Sequence, residues 1–236
     1  PKNNIVNAFG AVYNSGGDQI LYFGLNREAN TNQGNNTVGF WFLQNKVELN
    51  PDGTFDNTSG GPATHTEGDL HIVAEFTNGG NISNLRLNEW SGGALVNIFN
   101  TTPGTNVACN PATLSTPADT VCVGVNATTT ALSWGGSVAP AIFFEGGINL
   151  TDLGFSAQSC VSQFIGETRA SQSDTATLHD FALGDLSTCG TIIVEKQTVP
   201  DGAAGSFSFT GNATGTISDG GTITVTDLVP GTYTST

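Results

Sequence analysis

The chain has 236 residues, with 6 Lys and Arg against 20 Asp and Glu and a formal charge of −14. Only 11% of residues are charged, less than half of the roughly 25% usual in soluble domains. The few cations are scattered, which excludes nucleic acid and anionic membrane surfaces as partners, since both select clustered Lys and Arg.

Strand patterns fill the chain: short runs rich in Val, Ile, Phe, Tyr and Thr, parted by Gly, Asn, Asp and Pro. The runs predict strands at Ile5–Tyr13, Gln19–Leu25, Thr37–Val47, Asp69–Phe76, Ser83–Trp90 and Leu95–Phe99. They continue at Thr120–Val125, Ala141–Glu145, Cys160–Thr168 and Thr177–Leu183. DLHIVAEF alternates, with Leu70, Ile72, Ala74 and Phe76 on one face and His71, Val73 and Glu75 on the other. GFWFLQ is apolar on both faces, the pattern of a central strand between layers; Trp41 is expected in the core. Helical signals are confined to short turns at Asn149–Gly154 and Asn26–Ala29. Many short strands with turn-rich connectors predict an all-β, two-sheet sandwich of jelly-roll type. No apolar run approaches the roughly 18 residues of a membrane-spanning helix.

Composition shifts after Cys189. A second, smaller β unit is expected from residue 190 to residue 236, with strands at Thr191–Thr198, Ser206–Thr210 and Thr222–Leu228. The predicted domains are therefore 1–189 and 190–236. Strand-like patterns run into both ends of the chain, so it reads as a window of a longer secreted polypeptide.

Cys109, Cys122, Cys160 and Cys189 include no C-x-x-C pair, which argues against structural zinc. An even count in an acidic, Thr- and Asn-rich chain favours disulfides made in an oxidising compartment. Of the three connectivities, the favoured one joins Cys109 to Cys122 around a turn-rich loop and Cys160 to Cys189. Seven Asn-x-Ser/Thr sequons, the first at Asn35, carry little weight, because this composition supplies roughly five by chance.

Signatures of enzymes fail: there is no G-x-S-x-G, H-E-x-x-H, Walker loop or dinucleotide fingerprint. His65, His71 and His179 read as isolated surface or edge-strand residues. Glu145 and Glu167 stand out as acids on apolar strands, but Glu167 shares a face with Arg169, and an ion pair explains it more simply than catalysis. Calcium is a weak candidate cofactor: Asx-rich loops carrying Asp18, Asp52 and Asp56 could offer hard oxygen ligands without the full EF-hand spacing. Trp90 and Trp134, beside turn glycines, are candidate rim aromatics for a glycan, with Tyr13 and Tyr22 as further rings.

Three features after Gly190 carry a resemblance: the strand IIVEK ending at Lys196, the Phe-alternating Ser206–Thr210, and DLVPGTYT at Asp227–Thr234. This stretch resembles the prealbumin-like, Cna-B-type repeats of bacterial surface proteins. The larger part, Ile5 to Cys189, looks like the lectin-like sandwich of long secreted bacterial proteins that carry such repeats downstream. The stretches NIVNAFGAVYNSGGDQILYFGLNREAN, VGFWFLQ, EGGINLTDLG and SQFIGETRASQSDTATLHDFALGDLSTC carry that second resemblance. The resemblance implies a role at the bacterial cell surface or matrix. It also implies that Lys196 stands where some such repeats crosslink a Lys, while the acid and Asn partners would fall after Tyr233. A strand from a neighbouring molecule would make Lys196 an assembly or isopeptide residue.

Taken together, the expectation is a secreted, non-enzymatic structural or adhesive protein. Its subunits would self-associate through exposed β edges, in the limit as an extracellular filament. A carbohydrate-binding surface module is the alternative, and a glycoside-active enzyme is third; the last would need two carboxyls facing across a cleft.

Overall fold

A computed structural model of the chain describes residues 3–28, 36–77, 80–108, 121–155, 160–173, 176–229 and 231–236. The strands run β1 (Ile5–Ser15), β2 (Asp18–Arg27), β3 (Asn36–Leu43), β4 (Val47–Leu49), β5 (Phe55–Asn57) and β6 (Leu70–Phe76). They continue as β7 (Ile82–Ser91), β8 (Ala94–Thr101), β9 (Val121–Val125), β10 (Thr130–Ala131), β11 (Ser137–Val138) and β12 (Phe143–Asn149). The last are β13 (Gln163–Arg169), β14 (Leu178–Asp185), β15 (Gly190–Glu195), β16 (Phe207–Phe209), β17 (Gly215–Ile217) and β18 (Thr222–Leu228). Among the described residues there is no α-helix, and the fold is all-β.

Two antiparallel sheets pack face to face. One has four strands in the order β1-β2-β12-β9; the other has six, in the order β14-β13-β3-β6-β7-β8. Alternation decides what lies between them. Leu21, Phe23 and Leu25 of β2 meet Phe40 and Phe42 of β3, Leu70, Ile72 and Ala74 of β6, and Phe144 and Ile148 of β12 in one buried cluster. Phe23 is its hub, with ring centroids 5.0 Å from Phe40, 5.4 Å from Phe42 and 6.1 Å from Phe144. Tilted and edge-on contacts of this kind add to area burial because they align ring edges with ring faces.

The predicted strand Thr37–Val47 is two elements. β3 ends at Leu43, and β4 starts a separate hairpin whose partner is β5. The NPDGT turn joins them, and Asp52 accepts hydrogen bonds from the Thr54 amide (3.0 Å) and hydroxyl (2.6 Å). The hairpin folds back over the outer face of the six-stranded sheet. Gln163 of β13 fastens it there: its side-chain amide donates to the Val47 carbonyl (3.1 Å), and its side-chain oxygen accepts from the Val47 amide (2.9 Å). Lys46 adds an ion pair to Asp185 at 3.0 Å. The expected turn follows β12, over residues 150–154, with Asn149 ending that strand, whereas Asn26 belongs to β2.

Cys160 and Cys189 form a disulfide. Cys122 is also disulfide-bonded; Cys109, its expected partner, lies outside the described residues. Among the described residues, the strands after Cys189 pair only among themselves, as β15 with β18 and β16 with β17. Among the described residues beyond 189, Ala213 alone is fully buried. Ile192, Val194, Phe209, Ile217, Ile223 and Val225 are half-buried, and Ile193 is 65% exposed, so this small unit covers its own apolar residues poorly.

Candidate functional site

Three surfaces collect the residues singled out in the sequence. The first is the outer face of the six-stranded sheet. Phe40 and Phe42 point into the core, so Trp41 between them points outward. It is half-buried there, which corrects the expectation that it lies in the core. Register pairs Trp41 with His71 on β6. His71 is buried and stacks on one face of the indole at 4.1 Å, while His65 stacks on the other at 4.2 Å. Trp90 then packs against His65 at 4.6 Å. His65 and His71 are thus neither isolated nor edge-strand residues, because the β3–β6 register and the loop before β6 bring them together. His179, by contrast, is exposed on the edge strand β14.

Beside this stack lies Glu167, as buried as the core. Its Oε1 accepts from His71 Nε2 (3.1 Å) and Arg169 Nε (2.9 Å), and its Oε2 accepts from Arg169 Nη2 (2.9 Å). His71 and Glu167 belong to strands on either side of β3, and their side chains meet above Gly39. A Cβ at Gly39 would sit 2.8 Å from Glu167 Oε1 and 3.3 Å from His71 Nε2, so any larger residue there would part them. Burial pushes the Glu167 carboxyl up, but the His71 and Arg169 contacts outweigh it and hold the group below the ordinary carboxylate range. Buried Asp69 plays a similar supporting part: its carboxylate accepts from the Gln44 amide (3.0 Å), the Thr66 amide (3.0 Å) and His65 Nδ1 (3.4 Å). Under the β4–β5 hairpin, Trp41, His65 and Glu167 border a cavity of about 370 Å³.

The second surface is the outer face of the four-stranded sheet, which carries rings where an exposed antiparallel face normally carries polar side chains. Register sets Phe9, Gly24, Glu145 and Gly124 in one row and Tyr22 and Gly147 in the next. A Cβ on Gly24 would lie 2.6 Å from Phe9 Cε1, so the glycine lets the Phe9 ring rest on the strand. Trp134, 47% exposed, and Phe143 pack on Phe9 with centroids 6.0 and 6.3 Å away. Tyr13, 61% exposed, meets Tyr22 edge-on at 5.7 Å. Trp90, on β7 of the six-stranded sheet, and Trp134, in the β10–β11 turn over the four-stranded sheet, therefore share no site. The same holds for the two suspect acids: Glu145 is exposed on the four-stranded face, and Glu167 is buried on the other.

The third surface is an edge. Among the described residues, β8 pairs with β7 on one side only. Its eight residues carry no charge, and Leu95, Val96 and Ile98 are 38%, 47% and 41% exposed.

The calcium candidates are dispersed. Asp52 closes its own turn, Asp56 is paired with Glu48 in the hairpin, and Asp18 opens β2 at the β1–β2 turn. Among the described residues no three His, Cys, Asp or Glu side chains are grouped to hold a metal. Lys196 follows β15, with its ammonium 4.4 Å above the Phe207 ring and donating to the Gln197 carbonyl at 2.5 Å. Sequence reasoning missed His65, His71, Asp69 and the bracing Gln163. The signal for His71 was present, since its alternation placed it opposite the core on a strand whose outer face is otherwise apolar at Val73.

Comparison with known proteins adds no relative: no family model, curated protein or solved structure matches the chain.

Proposed function

We propose that the chain is an extracellular structural or adhesive protein whose sandwiches join by β-strand addition. The observation that carries this reading is β8. An edge strand presents a row of unpaired N–H and C=O groups, and proteins that stay monomeric blunt such edges with Lys, Pro, bulged ends or a covering segment. β8 has neither Lys nor Pro; its one irregularity is at Ile98, where the register with β7 steps from Phe99 to Asn97, and its exposed aliphatic side chains offer apolar contact to a strand laid beside it. The half-covered residues of β15–β18 support the same reading, with a strand supplied in trans closing the small unit. One further observation favours the cell exterior: the chain is disulfide-bonded. On this reading the two parts are a lectin-like sandwich and a prealbumin-like repeat, and no calcium or catalytic step is required.

The direct test replaces Val96 and Ile98 by Lys together. Both side chains are solvent-exposed, so the fold is retained. Sedimentation velocity is expected to show concentration-dependent oligomers for the parent chain and monomer for the double variant. Equal association of the two proteins would sink the reading.

A second reading, attachment to a glycan, is favoured by the ring-bearing face of the four-stranded sheet. Phe9 and Tyr22 beside Glu145 combine flat apolar surface with a hydrogen-bond acceptor in a shallow groove of about 440 Å³ along that face, and the half-exposed Trp134 packs on Phe9. A polysaccharide that is retained equally by the parent and by Trp134→Ala would remove it.

A further inference from the structure

We propose that the cavity beneath the β4–β5 hairpin binds a small, uncharged aromatic molecule carrying one hydrogen-bond donor, of the phenol or indole class. This inference is independent of strand addition and uses a different face of the molecule. At about 370 Å³ the cavity falls within the range of small-ligand sites. Its floor is the outer sheet face at Trp41, Leu43 and Ile165, its roof is Val47 and Phe55 of the hairpin, and Leu178 and Phe181 of β14 close one side.

The roof is fixed before any ligand arrives. Gln163 holds both polar backbone groups of Val47 as a neighbouring strand would, and Phe55 meets Phe181 edge-on at 5.4 Å. An apolar chamber with a preformed roof spends little binding energy on ordering.

Asn45, Thr64 and His65 also line the chamber, but its one charged, buried group decides the ligand's chemistry. Glu167 lines the cavity although its side chain is only 4% exposed. A carboxylate offers about four acceptor positions on two oxygens. Here Oε1 receives two donors and Oε2 one, which leaves room at Oε2 for one further donor. Arg169 balances the carboxylate charge. A charged ligand would therefore bring an unpaired charge against apolar walls, at a heavy desolvation cost. A neutral O–H or N–H on a flat ring meets both requirements: the ring fills the space between Trp41, Phe55 and Phe181, and the donor reaches Oε2.

The experiment is an amide-resolved NMR titration of the full chain with 4-methylphenol, toluene and 4-methylbenzoate. The phenol is expected to give saturable shifts at Leu43, Val47, Phe55, His65, Ile165 and Glu167. Toluene, which lacks the donor, should bind at least about tenfold more weakly, as for loss of a hydrogen bond to a charged acceptor. The benzoate should not bind. Because Glu167→Gln strands Arg169 and endangers the fold, the controlling variant is Ala63→Trp, which fills the cavity from its half-exposed lining residue. It should abolish the shifts while leaving the amide spectrum elsewhere intact. No saturable shift, equal affinity for toluene or benzoate, or phenol binding that persists in Ala63→Trp would each overturn the proposal.

Discussion

Glu167 keeps its charge in a setting that would normally neutralise a carboxyl. Removing an ion from water costs several kcal/mol, and close, well-aimed partners must return it. Arg169 supplies two contacts at 2.9 Å and His71 one at 3.1 Å. Glu167→Gln keeps the shape but leaves Arg169 without its counter-charge, so it should lower unfolding free energy by about 3–5 kcal/mol in urea titration. Its pH dependence has a definite sign. The folded carboxyl titrates below its unfolded value, so its contribution is fully present above about pH 4.3 and is lost as pH falls through the lowered folded value. The parent should lose its margin over Glu167→Gln as the pH is lowered through that range. A constant difference between the two would show that the carboxylate is not what stabilises the cluster. The Glu167–Arg169 pair was legible, since residues two apart on a strand share a face. The outward side of His71 was legible too, but not its contact with Glu167, because the two lie 96 residues apart and only the register of two strand pairs across β3 brings them near.

At the scale of elements, local pattern located most strands and failed where pattern runs unbroken. GFWFLQNKVEL has no Gly or Pro to separate β3 from β4, so the break at Leu43 had no local signal. What makes it is tertiary: Asp69 accepts from the Gln44 amide and ends the ladder, and Gln163 then captures Val47. The turn at NPDGT was legible because Asx side-chain hydrogen bonding and the positive φ that Gly53 adopts are local. The Cys160–Cys189 bond ties the segment before β13 to the residue just before β15. It closes a separation of 29 residues, and such a loop is worth about 2–4 kcal/mol through the unfolded chain. Replacing both cysteines by Ala should lower the denaturation midpoint accordingly. An unchanged midpoint would mean that the segment between them is already confined without the bond.

Across the whole molecule, composition announced two sheets but not which strand neighbours which. Long-range pairing depends on which apolar faces meet, and every strand carries much the same face. The order β14-β13-β3-β6-β7-β8 matters for function because it leaves β8 at an edge. A charge of −14 makes identical copies repel, and only an uncharged strip such as β8 lets them approach closely. Hydrogen–deuterium exchange of Ala94–Thr101 across a protein concentration series reads that edge most directly. Protection of these amides that rises with concentration, while β3 and β6 stay unchanged, is the predicted result. Exchange in β8 that is independent of concentration would contradict it.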